Sequence, residues 1–274
     1  MRAVLIKSIN KSEKWSMKRK VFAFFFLWKK WKSKMKKDYT GIVKSIKNIA
    51  LNTYEMKIES ELDSANSGQF ISIYCPNKTL RRPFSIADFD LKTKTLTVLF
   101  KLKGEGTEYL KNLKEGDKIK FLAPLGNKFK LIDKNCLLVG AGIGIAPMLF
   151  LKKELNEKGI DNYLISGFKE EKEIINGSDE NIVGGSVLDN LEKIIKEKNI
   201  KVIYSCGPSI VLKNVARIAK ENSIKSYVAM ERVMACSIGV CRGCVIRVYK
   251  NNQVVYGSVC QDGPVFEGSE IVWD

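Results

Sequence analysis

Met234-Ala235-Cys236-Ser237-Ile238-Gly239-Val240-Cys241-Arg242-Gly243-Cys244, with Cys260 downstream, decides how this chain is read. The spacing is C-x4-C-x2-C, then fifteen residues, then a fourth cysteine. That is the plant-type [2Fe–2S] arrangement. Two irons bridged by two sulfides need four thiolates, two on each iron. Ala235, Ser237, Gly239 and Gly243 are small enough for the backbone to wrap such a cluster and turn N–H groups toward its sulfurs. A structural zinc site is the competing arrangement, but it takes two C-x2-C-like pairs and this tail holds one. The other cysteines, Cys75, Cys136 and Cys206, are scattered and read as small buried apolar residues.

Upstream of the tail, residues 131–230 alternate strand and helix. The expected elements are strands Cys136–Val139, Tyr163–Phe168 and Lys201–Ser205, and helices Pro147–Lys158, Val187–Lys198 and Ile210–Asn222. Such alternation implies a parallel sheet with crossover helices. Gly140-Ala141-Gly142-Ile143-Gly144-Ile145-Ala146-Pro147 follows the first of these strands and opens a helix, where glycines let a backbone approach a pyrophosphate. Ser205-Cys206-Gly207-Pro208 ends another strand, so both loops would line one crevice. A ligand-free turn remains the alternative for each. In the tail itself, Cys244–Tyr249 and Gln253–Val259 read as short strands.

Residues 38–130 read as β. Strand candidates are Gly41–Ile46, Tyr54–Ile58, Phe70–Tyr74, Thr95–Leu102 and Lys118–Leu122, separated by Gly, Asn, Asp and Lys turns; several short strands at this spacing suggest a small antiparallel barrel. Within them, Leu80-Arg81-Arg82-Pro83-Phe84-Ser85 offers a charge for phosphate, a flat ring and a hydroxyl. Gly104-Glu105-Gly106-Thr107 offers backbone N–H groups. Read from the residues alone, both stretches are equally well turns with a charge.

Composition narrows the chemistry. The 274 residues are 45% apolar, enough for two compact domains. Histidine is absent, which removes Ser-His-Asp and Cys-His catalysis, imidazole-ligated zinc and Rieske clusters. The net charge of +17 is unevenly spread: residues 1–37 carry 13 Lys+Arg against one Glu, leaving the rest only mildly basic and without a nucleic-acid signal. Clustered cysteines in a Lys-rich chain point to a cytoplasmic metal site rather than disulfides. The basic extension places Val21–Trp28 between lysine-rich flanks. It is read as an add-on, with a start at Met35, in preference to a membrane-surface anchor.

Taken together, these pieces resemble the ferredoxin–NADP reductase superfamily. The cysteine tail, with Val259-Cys260-Gln261-Asp262-Gly263-Pro264-Val265-Phe266, is similar to that of the electron-transfer subunits of dihydroorotate dehydrogenase B. The resemblance covers residues 38–274. It implies an antiparallel flavin-binding β-barrel (38–130), a parallel-sheet nucleotide-binding domain (131–230) and a small C-terminal [2Fe–2S] subdomain (231–274), after an extension of residues 1–37. It places Arg82, Pro83, Phe84, Ser85, Leu99, Phe100, Lys101, Gly106 and Thr107 on FAD, with Ser85 tuning the flavin ring. It places Gly142, Gly144, Cys206 and Gly207 on NAD, and Cys236, Cys241, Cys244 and Cys260 on the cluster. Ala141 and Ser237 stand where glycine is common. It further implies a partner subunit that holds FMN and oxidises dihydroorotate, in a hetero-oligomer of two copies each. Electrons would pass singly from FMN across the cluster, pair on FAD and leave as hydride to NAD+. The flavin subunits of a sulfhydrogenase or a sulfite reductase share these motifs, and a non-enzymatic iron–sulfur sensor is a third reading.

Overall fold

The computed structural model describes residues 37–273. The expected basic extension, apart from Lys37, lies outside the described residues, as do its proposed start at Met35 and its membrane-anchor reading.

Six strands close a barrel in the order β1–β2–β5–β4–β3–β6. They are β1 (Lys37–Ala50), β2 (Thr53–Glu59), β3 (Phe70–Ile73), β4 (Arg82–Asp90), β5 (Thr95–Lys101) and β6 (Lys118–Leu125). The paired neighbours are antiparallel. Period-2 alternation explains the closure. Ile71 and Ile73 of β3, with Leu96, Val98 and Phe100 of β5, fill the interior beside Met56, Ile58 and Phe121. Phe70 and Leu99 point the other way, into two different clusters outside the barrel.

β4 was not among the expected strands. Pro83 inside it cannot donate to a ladder, which argues against a strand when the sequence is read locally. The strand forms because β3 and β5 flank it on both sides, with Ser72 opposite Pro83 and Phe70 opposite Ser85. Helix α1 (Glu105–Lys111) occupies the Gly-Thr stretch. Its seven residues are too short for periodicity to announce.

A second sheet has the order β14–β11–β10–β7–β8–β9. Its strands are β7 (Cys136–Ala141), β8 (Asn162–Phe168), β9 (Glu180–Val183), β10 (Val202–Cys206), β11 (Lys225–Ala229) and β14 (Val265–Glu267). All pair in parallel except β14, which lies antiparallel on β11. Helix α2 (Ile145–Glu157) covers one face, burying Ile145, Met148, Leu151 and Leu155 against Leu138 and the barrel's Ala87 and Leu99. Helices α3 (Leu191–Glu197) and α4 (Ser209–Glu221) cover the other, around Leu137, Val139 and Ile203. The expected helix from Val187 starts four residues late, at Leu191, although Val187 is itself buried.

The tail adds a hairpin, β12 (Val245–Lys250) and β13 (Gln253–Ser258). It then returns β14 to the large sheet, so residues 231–274 complete the nucleotide-domain sheet as well as carrying the cysteines. No helix among the described residues is long and apolar enough to cross a membrane.

Candidate cluster, flavin and nucleotide sites

The cysteine tail wraps as its small residues allow. Each of the four sulfurs accepts a backbone N–H: Cys236 Sγ from Cys241, Cys241 Sγ from Gly243 and Cys244 Sγ from Cys260, all at 3.4 Å, and Cys260 Sγ from Gly239 at 3.1 Å. These bonds stabilise negative sulfur, as thiolates bound to iron require.

The thiols fall into two neighbouring pairs. Burial alone would raise Cys236, but the N–H groups of Cys241, Ile238 and Val240, with the Cys241 side chain, bring it down to about 6. Burial, together with the hydrogen bond and charge of Cys244, pushes Cys260 up to about 12 against the Gly239 N–H. Cys244 and Cys260 are buried, Cys241 is exposed and Cys236 is intermediate. Two thiol pairs are the arrangement a dinuclear cluster would use, with two thiolates on each iron.

The cluster subdomain rests on the outside of the barrel. Phe70 and Leu125 share an apolar cluster with Met234, Cys244, Val259 and Cys260. Directly opposed residues of antiparallel strands share a face. Pro83 and Ser85 therefore lie on the same outer side as Ser72 and Phe70, the side that meets the cysteine tail.

Around the flavin motif, Arg82 Nη1 donates to the Leu80 carbonyl at 2.6 Å. Its side chain runs across Gly106, where an added Cβ would come within 2.6 Å of Nε. The Thr107 hydroxyl accepts from the N–H groups of Lys103 and Gly104 and donates to the Gly104 carbonyl at 2.8 Å. Arg82 thus lies against the first turn of α1, which also carries Glu105 and Glu108. Phe84 packs 5.9 Å from Phe100. Phe100 is enclosed in the barrel core and Leu99 is buried outside it. The Lys101 ammonium is engaged by Glu173.

The nucleotide loops meet where the strand order reverses. β7 lies between β10 and β8, so its C-terminal end and that of β10 open side by side at the switch point, where open parallel sheets bind ligands. Gly142–Gly144 forms a 3-10 turn into α2. A Cβ on Gly144 would stand 2.3 Å from the Cys206 carbonyl, so only glycine permits this approach. Burial, with Glu231 nearby, pushes the Cys206 thiol up to about 12 and keeps it neutral.

The four tail cysteines come together, the two glycine loops adjoin, and Arg82 lies against Gly106, whereas Leu99 and Phe100 are buried in two separate apolar clusters and Lys101 is held by Glu173. Sequence reasoning missed the links between distant segments: Ser72 with Ser237, and Lys101 with Glu173. The one local signal was Ser237, a serine in place of a common glycine.

Comparison with known proteins matches the cysteine tail and the fold. The model of the iron–sulfur cluster binding domain of dihydroorotate dehydrogenase B matches residues 231–272. The protein named dihydroorotate dehydrogenase B (NAD(+)), electron transfer subunit, from Caldanaerobacter subterraneus subsp. tengcongensis is 35% identical over 258 residues, 89% of this chain and 100% of the relative. Its namesake from Fusobacterium nucleatum is 34% identical over 252 residues, 81% of this chain and 94% of the relative. Among solved structures, an NADH-dependent reduced ferredoxin-NADP oxidoreductase superimposes with a TM-score of 0.75 at 28% identity, covering 85% of this chain and 90% of that one. The ferredoxin-NADP+ reductase of Plasmodium falciparum shares the fold, with a TM-score of 0.55 at 17% identity over 67% of this chain and 91% of that one. The chain belongs to the family of electron transfer subunits of dihydroorotate dehydrogenase B.

Proposed function

We propose that this chain carries electrons from a partner subunit that oxidises dihydroorotate with FMN, by way of a [2Fe–2S] cluster and FAD, to NAD+. The carrying observation is that the tail's hydrogen-bonded cysteines meet the outer side of the barrel on which Pro83 and Ser85 lie. When bound, the cluster supplies single-electron transfer, the flavin exchange between one and two electrons, and the nicotinamide hydride acceptance.

The chain's own part is to bind and align. In this reading residues 38–130 hold FAD, 131–230 hold NAD and 231–274 hold the cluster. Cys236, Cys241, Cys244 and Cys260 ligate iron. Arg82, Gly106 and Thr107 take the flavin pyrophosphate, and Ser85 presents its hydroxyl to the flavin ring. Gly142, Gly144, Cys206 and Gly207 line the nicotinamide crevice. Hydride transfer depends on stacking and alignment more than on an acid or base, so the lack of histidine is no handicap. The protein acts as an oxidoreductase subunit in the cytoplasm, in a hetero-oligomer of two copies of each chain.

The test is anaerobic co-expression with an FMN-binding catalytic subunit. Orotate should form from dihydroorotate with NAD+ when both chains are present. A partner-free chain that performs the whole reaction, or a complex that ignores NAD+, overturns the reading.

A further inference from the structure

The hydroxyls of Ser72 and Ser237 lie 3.0 Å apart although 165 residues separate them. Both side chains are enclosed, at 0% and 1% exposure. Ser72 stands on the outer face of β3 opposite Pro83, inside the flavin motif. Ser237 directly follows the cluster ligand Cys236. It also sits at φ +60°, in the left-handed region. Glycine adopts that conformation freely, whereas a Cβ makes it costly. Serine here gives up the easier backbone and gains a hydrogen-bonding partner on the barrel.

The two halves of the cluster site are anchored differently. The Cys244 and Cys260 half is buried among Phe70, Leu125 and Val259. Asn127 of the barrel side reinforces it, donating to the Asp262 and Val265 carbonyls and accepting the Val265 N–H. The Cys236 and Cys241 half is more open to solvent, and a polar contact joins it to the barrel.

We propose that the Ser72–Ser237 hydrogen bond is a positioning device for electron transfer. It fastens the Cys236 arm of the cluster loop to the strand beside the flavin motif and so holds the cluster's approach to the flavin. Both serines are positioning residues that act through the loop. The proposal rests on the reading that cluster and flavin are both bound here.

Ser237→Gly provides the sharpest test, because it removes the hydroxyl while relaxing the φ +60° backbone. A purely structural role would show, at most, in the melting temperature, where backbone relief offsets the lost hydrogen bond, and would leave the electron-transfer rate unchanged. As a positioning role requires, the anaerobically purified holo-complex of Ser237→Gly should keep parental iron, sulfide, flavin and melting temperature. Its single-turnover electron transfer between cluster and flavin should slow severalfold, because the freed loop spends less time in the aligned position. Hydrogen exchange of the Gly239 and Cys241 amides should quicken by a similar factor. Ser72→Ala should match it, the double variant should be no slower than either single one, and Ser72→Thr should restore the parental rate.

Parental transfer and exchange rates in both single variants, or additive losses in the double, overturn the proposal. If Ser72→Ala does not fold, Ser237→Gly decides alone. A colourless parental protein instead overturns the reading beneath it, which keeps the two failures distinct.

Discussion

The Lys101 ammonium of β5 donates to the Glu173 carboxylate in the Glu171–Glu173 turn beyond β8, tying the flavin strand to the nucleotide sheet. The Lys101 hydrogen bond, opposed by burial and aided by the Lys169 N–H, holds the Glu173 carboxyl below its ordinary 4.5. A lowered carboxylate favours the folded state above the unfolded value, and that contribution is lost as pH falls below 4.5 through the folded value. Glu173→Gln should cost up to about 1 kcal/mol at neutral pH, the range of partly exposed pairs. It should also flatten the acid limb of stability. Denaturant unfolding at stepped pH checks this; parallel acid limbs in parent and variant would contradict it.

Cys241 is the exposed cysteine of the loop, and its sulfur accepts the Gly243 N–H. Cys241→Ser should strip iron and acid-labile sulfide from the purified protein, since the ligand set is then incomplete. Flavin should remain, because the proposed flavin-holding residues belong to the barrel and α1 rather than to the cysteine loop. Metal, sulfide and flavin analysis after anaerobic purification reads all three together.

Arg82 lies across Gly106 in the proposed pyrophosphate site. Hydrogen bonds to charged groups contribute about 1.5–3 kcal/mol, so Arg82→Ala should weaken FAD binding about 10- to 100-fold. Fluorescence titration of flavin into the stripped protein measures the change. Unaltered flavin content after gel filtration would remove Arg82 from the site.

Gly144 touches the Cys206 carbonyl so closely that any Cβ must push the two nucleotide loops apart. Gly144→Ala should destabilise the fold by about 1–3 kcal/mol, as overpacking does. It should weaken NADH binding while leaving iron and flavin in place. Calorimetric NADH titration beside denaturant midpoints separates the two effects, and parental NADH affinity would refute the placement.

Tyr204 is fully enclosed; its hydroxyl donates to the Lys130 carbonyl at 2.7 Å and accepts the Ile132 N–H at 3.1 Å. Tyr204→Phe leaves both backbone groups short of a partner between barrel and sheet, at a cost of about 1–3 kcal/mol. Urea unfolding with an unchanged slope is the expected signature.

Much of the architecture was legible along the chain. Cys236–Val240–Cys241–Cys244 carries its chemistry in its spacing, because a cluster loop is a local wrap. Leu137–Val139 with the glycines after it, and the 3.6-residue pattern of Ser209–Glu221, are likewise local. β4 was not legible, since Pro83 speaks against a strand until β3 and β5 flank it. Nor were β9, β11 and β14, each five residues or fewer; their strand state comes from the neighbour each adds to.

The sequence by itself determined the order of barrel, alternating sheet and cysteine tail, because periodicity and cysteine spacing are written in consecutive residues; the flavin and nucleotide residues came only from the family resemblance. Only the tertiary structure decided that β14 returns to the nucleotide sheet, that Lys101 meets Glu173, and that Ser237 reaches Ser72. Those pairings join residues far apart in the chain, and no local pattern encodes them. They arise when barrel closure and sheet twist bring separate faces within hydrogen-bonding distance.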